Sequence, residues 1–421
     1  MKKYIKLLLT SFFLLSMVLV SCDKDSEEEF SYLEQNGRRE LTGRIDQEGM
    51  KPFAQTRLAL DAAELEKIAP SNDFTFRFFR ESYEDSTNML LSPLGFQMTL
   101  AMAGNIAKDS DAVCKTLGFG GEDLDGVNTY FKHLIESLGG ELLSKELTLA
   151  NTFMADTRAK KYPDSFLDVL GSSYFADYHE IEAKSLVEQP KGQRPEDIWC
   201  QEETDGMIKV APFPILETQS SILNIFSFKG DWQDKFDKEL TKNGLFYINP
   251  EEFVSMPFMN KQSKVNYYEN DDLRAVSLPF EEGLYDLSII LPKNNYDVAG
   301  VIEGLGSDSW DTMRKSFGKK EIKLSVPIFS ASYKKEMMID LTFIDGVTPF
   351  DKIGQNAIFQ MDESGASAAA VTQVITPTMN PSDIQSIEPF IANQPFIYTI
   401  TESGSGLILF IGTYCGTDKN Q

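Results

Sequence analysis

The stretch Asp362-Glu-Ser-Gly-Ala-Ser-Ala-Ala-Ala-Val-Thr372 is small and uncharged after Glu363, and from Gln373 to Gln394 the chain that follows carries no lysine or arginine. Two readings of that small stretch stand side by side. Alanine has the highest helix propensity, so the stretch reads as a short helix. It also reads as an exposed segment kept small so that it can later enter a sheet. A strand slotting into a closed core needs small side chains on its buried face, because overpacking costs about 1–3 kcal/mol per site. By the two-residue period of a strand, Ala366, Ala368, Ala370 and Thr372 would form that face. The rest of the chain decides between the readings.

With 421 residues, 42% of them hydrophobic, the chain is long enough to bury a sizeable core. A net charge of −24 argues against nucleic acid as a partner, since phosphate binding needs a basic face. The two histidines, His133 and His179, and the cysteines show no metal-ligand spacing, so no metal and no cofactor is expected. Cys114, Cys200 and Cys415 are odd in number and read as free thiols of the fold.

Lys2, Lys3 and Lys6 precede an apolar stretch over residues 7–20. It is short of the roughly 20 residues of a membrane span and reads as a processing signal. It ends in Leu19-Val-Ser-Cys22, which resembles the lipobox of bacterial lipoproteins. That resemblance implies a signal peptide over 1–21, cleavage before Cys22 and lipidation of Cys22. The next seven residues hold five acids and one base and read as a solvated tether, expected to run over 22–60. The acidic run resembles the export tag with which some Gram-negative groups send lipoproteins to the outer face of the outer membrane. In other groups an Asp after the lipid cysteine keeps the protein at the inner membrane.

Residues 61–421 read as the folded domain. Phe74, Phe76, Phe78 and Phe79 fall in an apparent helix, and Ser92-Pro93 is an N-cap and first-turn signal for a helix to Gly104. Leu147 to Met154 alternates as a strand, and a helix follows Pro163. Gln189 to Asp197 reads as a loop, Ile198-Trp199 as the opening of a helix to about Lys209, and Ser221 to Phe228 as a strand. Further strands are expected at Met256–Met259, Val265–Tyr268, Ala275–Phe280 and Tyr285–Pro292, with Ile322, Leu324 and Val326 on one buried face. Asp340 to Phe350 reads as a helix. Helices first and strands later, without βαβ alternation, point to an α+β fold with large, mainly antiparallel sheets.

These landmarks fall in the order and spacing of the serpin family, which the chain resembles over about residues 65 to 416. Asn88…Ser92-Pro93, Ala150-Asn151-Thr-Phe153 and Ile198-Trp199…Thr204-Asp-Gly206…Ile208 match its motifs. So do Asn224…Phe228-Lys-Gly230…Trp232…Phe236 with Thr241 and Phe246, then Ser277-Leu-Pro-Phe280 and Ile289-Ile-Leu-Pro292. Val326-Pro-Ile-Phe329, Asp362 to Thr372, Pro395-Phe396 and Leu409-Phe-Ile-Gly412 complete the series. The sequence departs from the family pattern at Gly95, at Asp109 and Ser110, at Ile328, and at Ser367, which replaces an acidic hinge residue. None of these places a charge or a proline in the hinge.

The resemblance implies a suicide inhibitor and not an enzyme. A serine, or also a cysteine, endopeptidase attacks a reactive loop at about 363–390 and forms an acyl-enzyme, and the cut loop inserts into the main sheet before hydrolysis. The hinge would be Glu363, Gly365, Ala366, Ser367, Ala368, Ala369, Ala370, Val371 and Thr372. The count from Glu363 places the reactive bond at Met379-Asn380, with Thr378 and Ile375 as the next candidates. Pro377 agrees, since it lacks the donor a central strand needs and belongs at the far end of the inserted segment. An inserted strand of roughly twelve residues gains hydrogen bonds worth about 0.5–1.5 kcal/mol each, on the order of 10 kcal/mol in all. The uncut fold is therefore expected to be metastable. Without a cation near the bond, trypsin-like enzymes fit poorly, and elastase-, chymotrypsin-, subtilisin- or papain-like ones fit better. The partners expected are the target protease, covalently, and a membrane through Cys22, on a monomer. The alternatives are a non-inhibitory serpin-fold surface lipoprotein with a binding role, or a ligand-binding lipoprotein of an unrelated fold.

Overall fold

A computed structural model describes residues 32–35, 38–41, 56–107, 109–138, 146–184, 188–294, 297–333, 354–365 and 387–416. A short antiparallel pair, Tyr32–Gln35 with Arg38–Leu41, belongs to a separate small unit at the N-terminal end. It lies inside the span expected to be a plain tether. The packed chain also begins before the expected boundary at 61. Leu58 and Leu60 are buried in the core, and Thr56 donates to Glu402 Oε2 at 3.0 Å. Among the described residues no helix is long and apolar enough to cross a membrane.

The main body places helices against two sheets, an α+β architecture. The helix Ile68–Ser82 turns Phe74, Phe76, Phe78 and Phe79 inward. The helix Pro93–Gly104 has no charged residue and is buried at every position, as a helix apolar all round must be. Pro93 opens it at the first turn, but the Ser92 side chain makes no capping bond. Gln97 Nε2 and the Thr99 hydroxyl donate to the Leu117 and Gly95 carbonyls. The amphipathic helix Leu124–Leu138 covers it with Val127, Phe131, Leu134 and Leu138.

The nine-stranded sheet runs in the order Pro389–Ile391, Gly318–Pro327, Phe253–Glu269, Leu273–Pro279, Tyr285–Pro292, Phe396–Glu402, Ile408–Tyr414 and Met89–Leu91. Lys242–Tyr247 pairs beside the first half of the long strand Phe253–Glu269. Ile322, Leu324 and Val326 form a single buried face, as their alternation requires.

The five-stranded sheet runs Phe329–Tyr333, Gly354–Met361, Ser220–Phe228, Leu147–Asp156 and Asp177–Ile181. The nine-stranded sheet is antiparallel except at its edge strand Pro389–Ile391, as expected, whereas the five-stranded sheet is mixed, with two antiparallel and two parallel junctions. The helix expected to open at Ile198 starts earlier and is shorter, spanning Pro195–Glu203. Pro195 takes the first helical position, where its missing N–H costs nothing. The helix expected over Asp340 to Phe350 lies outside the described residues.

Candidate functional site

Ser220–Phe228 is buried along its whole length because both of its faces are covered. Ile222, Phe226 and Phe228 point into the main core, while Leu223 and Ile225 join a second, smaller cluster. A strand covered on both sides reads as a continuous apolar run, which is how it stands in the sequence. The smaller cluster adds Met154, Ile181, Trp199, Cys200, Ile208 and Phe213. It is held down by Arg194, which donates from Nε and Nη2 to Asp197 at 2.7 Å each. Burial opposes the Asp197 charge, but Arg194 and the N–H groups of Ala211 and Gly192 outweigh it and keep this carboxyl below the usual carboxylate range.

On one side this strand pairs antiparallel with Leu147–Asp156 over Leu147↔Phe228 to Ala155↔Ser220. A buried amide pair, Asn224 Nδ2 to Asn151 Oδ1 at 2.7 Å, fixes that register. Asn151 in turn donates to the Tyr174 carbonyl at 2.9 Å. On the other side the strand pairs with Gly354–Met361, and here the direction changes. The pairing is parallel and short, from Gly354↔Leu223 to Ile358↔Ser227. Gly354–Met361 is itself antiparallel to Phe329–Tyr333. Two antiparallel pairs thus lie side by side, joined by a parallel seam. A chain that leaves Met361, reverses and runs back is antiparallel to both strands of the seam. Its insertion would replace one parallel ladder with two antiparallel ones, which are slightly more stable per residue.

The chain does reverse there. The Asp362 N–H donates to the Gly365 carbonyl at 2.8 Å, and the Asp362 side chain accepts from the Ser364 N–H at 2.7 Å. Gly365 then forms an antiparallel bridge with Asp231, three residues past Phe228. At Gly365 the chain thus runs antiparallel to the segment that continues from Phe228. Only glycine fits at 365: φ is +153°, and a Cβ would lie 2.1 Å from the Gly230 carbonyl oxygen.

The 230–241 segment holds this turn from below. The Trp232 N–H donates to the Ser364 carbonyl at 2.8 Å, and its indole N–H to the Asp362 carbonyl at 2.9 Å. The Phe236 N–H donates to the Glu363 carbonyl at 3.0 Å, and the Thr241 hydroxyl to Glu363 Oε1 at 2.7 Å. Trp232 stacks on Phe280 at 4.8 Å, and Phe280 meets Phe228 at 4.6 Å. Lys261 lies 4.3 Å over the Phe236 ring, and burial lowers the pKa of its ammonium although Asp234 opposes the shift.

Of the residues expected to form the hinge, the structure places Glu363 and Gly365 at this turn. The described part, Asp362–Gly365, is a tight turn and not the start of a helix. Ala366 to Thr372, Ile375, Thr378, Met379, Asn380 and Cys22 lie outside the described residues. Trp232, Phe236 and Thr241 stood in a matched motif without a role, and their part in gripping the turn comes from the structure alone. Glu146, which lies against Gly230 at the same place, carried no signal in the sequence.

The match to known proteins covers most of this machinery. The family model described as Serpin (serine protease inhibitor) matches residues 69–416. An uncharacterized serpin-like protein of Thermococcus kodakarensis is 29% identical over 81% of this chain and 83% of its own. Iripin-8 of Ixodes ricinus is 27% identical over 78% of this chain and 88% of its own. The native-state structure of tengpin, a thermophilic serpin, superposes with a TM-score of 0.72 at 22% identity, over 87% of this chain and 97% of its own. Human thyroxine-binding globulin, solved with bound hormone, shares the fold with a TM-score of 0.71 at 19% identity, over 84% of this chain and 99% of its own. The parallel seam, the gripped turn and the span of these matches lead to one conclusion: the chain belongs to the serpin family, a family of protease inhibitors whose partners are target proteases.

Proposed function

We propose that this chain traps an endopeptidase by inserting its cleaved loop into the seam between Ser220–Phe228 and Gly354–Met361. The observation that carries the reading is the antiparallel bridge of Gly365 to Asp231 at the mouth of a parallel seam. The target's nucleophile attacks the Met379 carbonyl carbon, an ester or thioester forms there, and the amine of Asn380 leaves. The chain from Ala366 to Met379 is then tethered only at Gly365 and carries the acylated protease with it as it inserts. Ala366, Ala368, Ala370 and Thr372 face the core, and their small volume lets the seam close over them. Elastase-, chymotrypsin- or subtilisin-like enzymes fit a Met379 bond, as do papain-like ones. We further propose that Cys22 carries a lipid that anchors the chain to a bacterial envelope, on the outer face of the outer membrane. Residues 1–21 are removed in this reading, and the inhibitor acts as a monomer.

The test is to mix residues 23–421 with an elastase, a chymotrypsin-like enzyme and trypsin, denature, and separate by size. A denaturation-resistant complex with the first two, and a released fragment beginning at Asn380 by mass spectrometry, is the expected result. Cleavage without complex at every ratio would replace inhibition by a non-inhibitory binding role on the same fold. Radiolabelled palmitate incorporated by the full chain and lost in Cys22→Ala checks the anchor separately.

A further inference from the structure

The mouth of the seam holds one buried carboxyl that the insertion reading does not use. Glu146 immediately precedes the strand Leu147–Asp156 and is 6% exposed. Its carbonyl accepts from the Lys229 N–H at 2.6 Å. Its Oε1 lies 2.9 Å from where a Cβ on Gly230 would stand, so a side chain at 230 would displace the carboxyl from this position. The other face of Gly230 meets Gly365. The Glu146 side chain, the Gly230 backbone and the head of the hinge are thus stacked in direct contact. Three acidic side chains act on the Glu146 carboxyl by charge, while the Glu282 N–H donates to it. Glu281 and Glu282 come from the turn between Leu273–Pro279 and Tyr285–Pro292, and Asp231 comes from the chain beyond Phe228. Lys235 is paired to Asp231 at 2.7 Å. The Glu281 N–H donates to the Asp231 carbonyl at 2.8 Å, tying the acidic turn to the residue that bridges Gly365.

We propose that the Glu146 carboxyl is a proton-operated catch on the mouth of the seam. Protonated, it packs against Gly230 and holds residues 229–232 under the 362–365 turn; ionised, it is repelled by its three acidic neighbours and releases that contact, so the returning strand inserts faster. The insertion half of this statement rests on the reading given above; the catch itself does not. Burial, and then Glu282, Glu281 and Asp231, push the Glu146 carboxyl up to about 8, against the pull of a hydrogen bond from the Glu282 N–H. A raised pKa means that closure is fully supported below the ordinary carboxylate range and is lost as pH rises through about 8. Opening therefore becomes easier by up to tenfold per pH unit within that window and levels off above it.

The test follows hydrogen exchange at the Trp232 and Phe236 amides, the two donors that grip the turn, from pH 5 to pH 9. Each rate is divided by its intrinsic value. Protection is expected to fall more than tenfold between pH 5.5 and 8 and then to level, and to stay flat in Glu146→Gln. The exposed pair Glu281→Gln with Glu282→Gln leaves the buried residue intact and should make the fall level off at a lower pH. The same profile in the parent, in Glu146→Gln and in the surface pair would overturn the catch. A synthetic peptide spanning residues 364–379 reports on insertion in parallel. Loss of amide protection without any peptide uptake at any pH would leave the catch standing and remove the insertion reading.

Discussion

The two sheets are built from equally apolar strands and differ in how their strands run. In the nine-stranded sheet, Tyr285–Pro292, Phe396–Glu402 and Ile408–Tyr414 lie antiparallel and are buried at every position. Each of these three strands has an antiparallel neighbour on both sides. In the five-stranded sheet, Ser220–Phe228 is just as buried, but its junction with Gly354–Met361 is parallel over a handful of residues. The first sheet has its one parallel junction at an edge, between Gly318–Pro327 and Pro389–Ile391, whereas the second carries a parallel seam at its centre, where one more antiparallel strand fits. On the insertion reading proposed above, the gain from an added strand is a property of topology and not of weak side chains.

The largest expected effect separates the two sheets directly. Ile400 is fully buried in the finished sheet, and Ile400→Ala should cost about 2–5 kcal/mol of stability, read by denaturant unfolding. The fraction of encounters that end in a trapped protease should not change. Ala368→Arg should do the reverse. On the insertion reading it should leave the unfolding of the uncut chain within about 0.5 kcal/mol, but it puts a charge on the face that the inserted strand must bury. Trapping should fall at least a hundredfold, with every encounter ending in cleavage. If both variants lowered trapping and stability together, the sheets would not be distinct in function.

The layer over the seam gives the next test. Asp197→Asn removes the closer of the two carboxylates on buried Arg194, leaving Glu196 at 3.4 Å, and weakening a buried pair this way costs up to about 3–5 kcal/mol. The parent's own pH dependence has a defined sign. Asp197 is held below the usual carboxylate range, so its contribution is present above about pH 4 and is lost as pH falls through its lowered value. Acid unfolding curves of parent and variant should converge below that point.

Much of this arrangement is readable in the sequence, and what is missing has physical causes. Alternation at Ile322, Leu324 and Val326, the uncharged run Pro93–Gly104 and the apolar run at Ser220–Phe228 all follow from one-dimensional periods. Loop boundaries do not: Pro195 reads as a loop residue until its place at the first helical turn is known. The helix Leu124–Leu138 has a plain helical period in Val127, Phe131, Leu134 and Leu138, yet the motif-led reading passes over it. Strand direction across the seam carries no local signal, because parallel and antiparallel neighbours bury the same side chains. Glu146 is one acid among 64 Asp and Glu residues, and only tertiary packing distinguishes it.

A smaller effect lies in the finished sheet. Asp286 is buried beside Ser403, Arg314 and Glu402, and burial is the main reason its carboxyl is pushed up to about 6. The folded chain should therefore lose stability as pH rises from about 4 through about 6, by on the order of 3 kcal/mol. Asp286→Asn should flatten that slope in urea unfolding across this range. The window ends about two pH units before that of Glu146, so a single slope running unbroken to pH 8 in Asp286→Asn would place the titration at the seam and not in the finished sheet.

The smallest expected effect probes the grip on the turn. The Thr241 hydroxyl donates to Glu363 and its methyl group fills the same volume as in valine, so Thr241→Val removes one hydrogen bond and little else. A charge-assisted bond of this kind is worth about 1.5–3 kcal/mol when well desolvated and less at a half-exposed turn. Global unfolding should move by no more than about 1 kcal/mol, because Trp232 and Phe236 still hold the Asp362 to Ser364 carbonyls. The turn itself should loosen, and peptide uptake should rise several-fold at fixed pH. A variant in which unfolding shifts and uptake does not would assign Thr241 to the strand beside it and leave the grip on the hinge to the backbone alone.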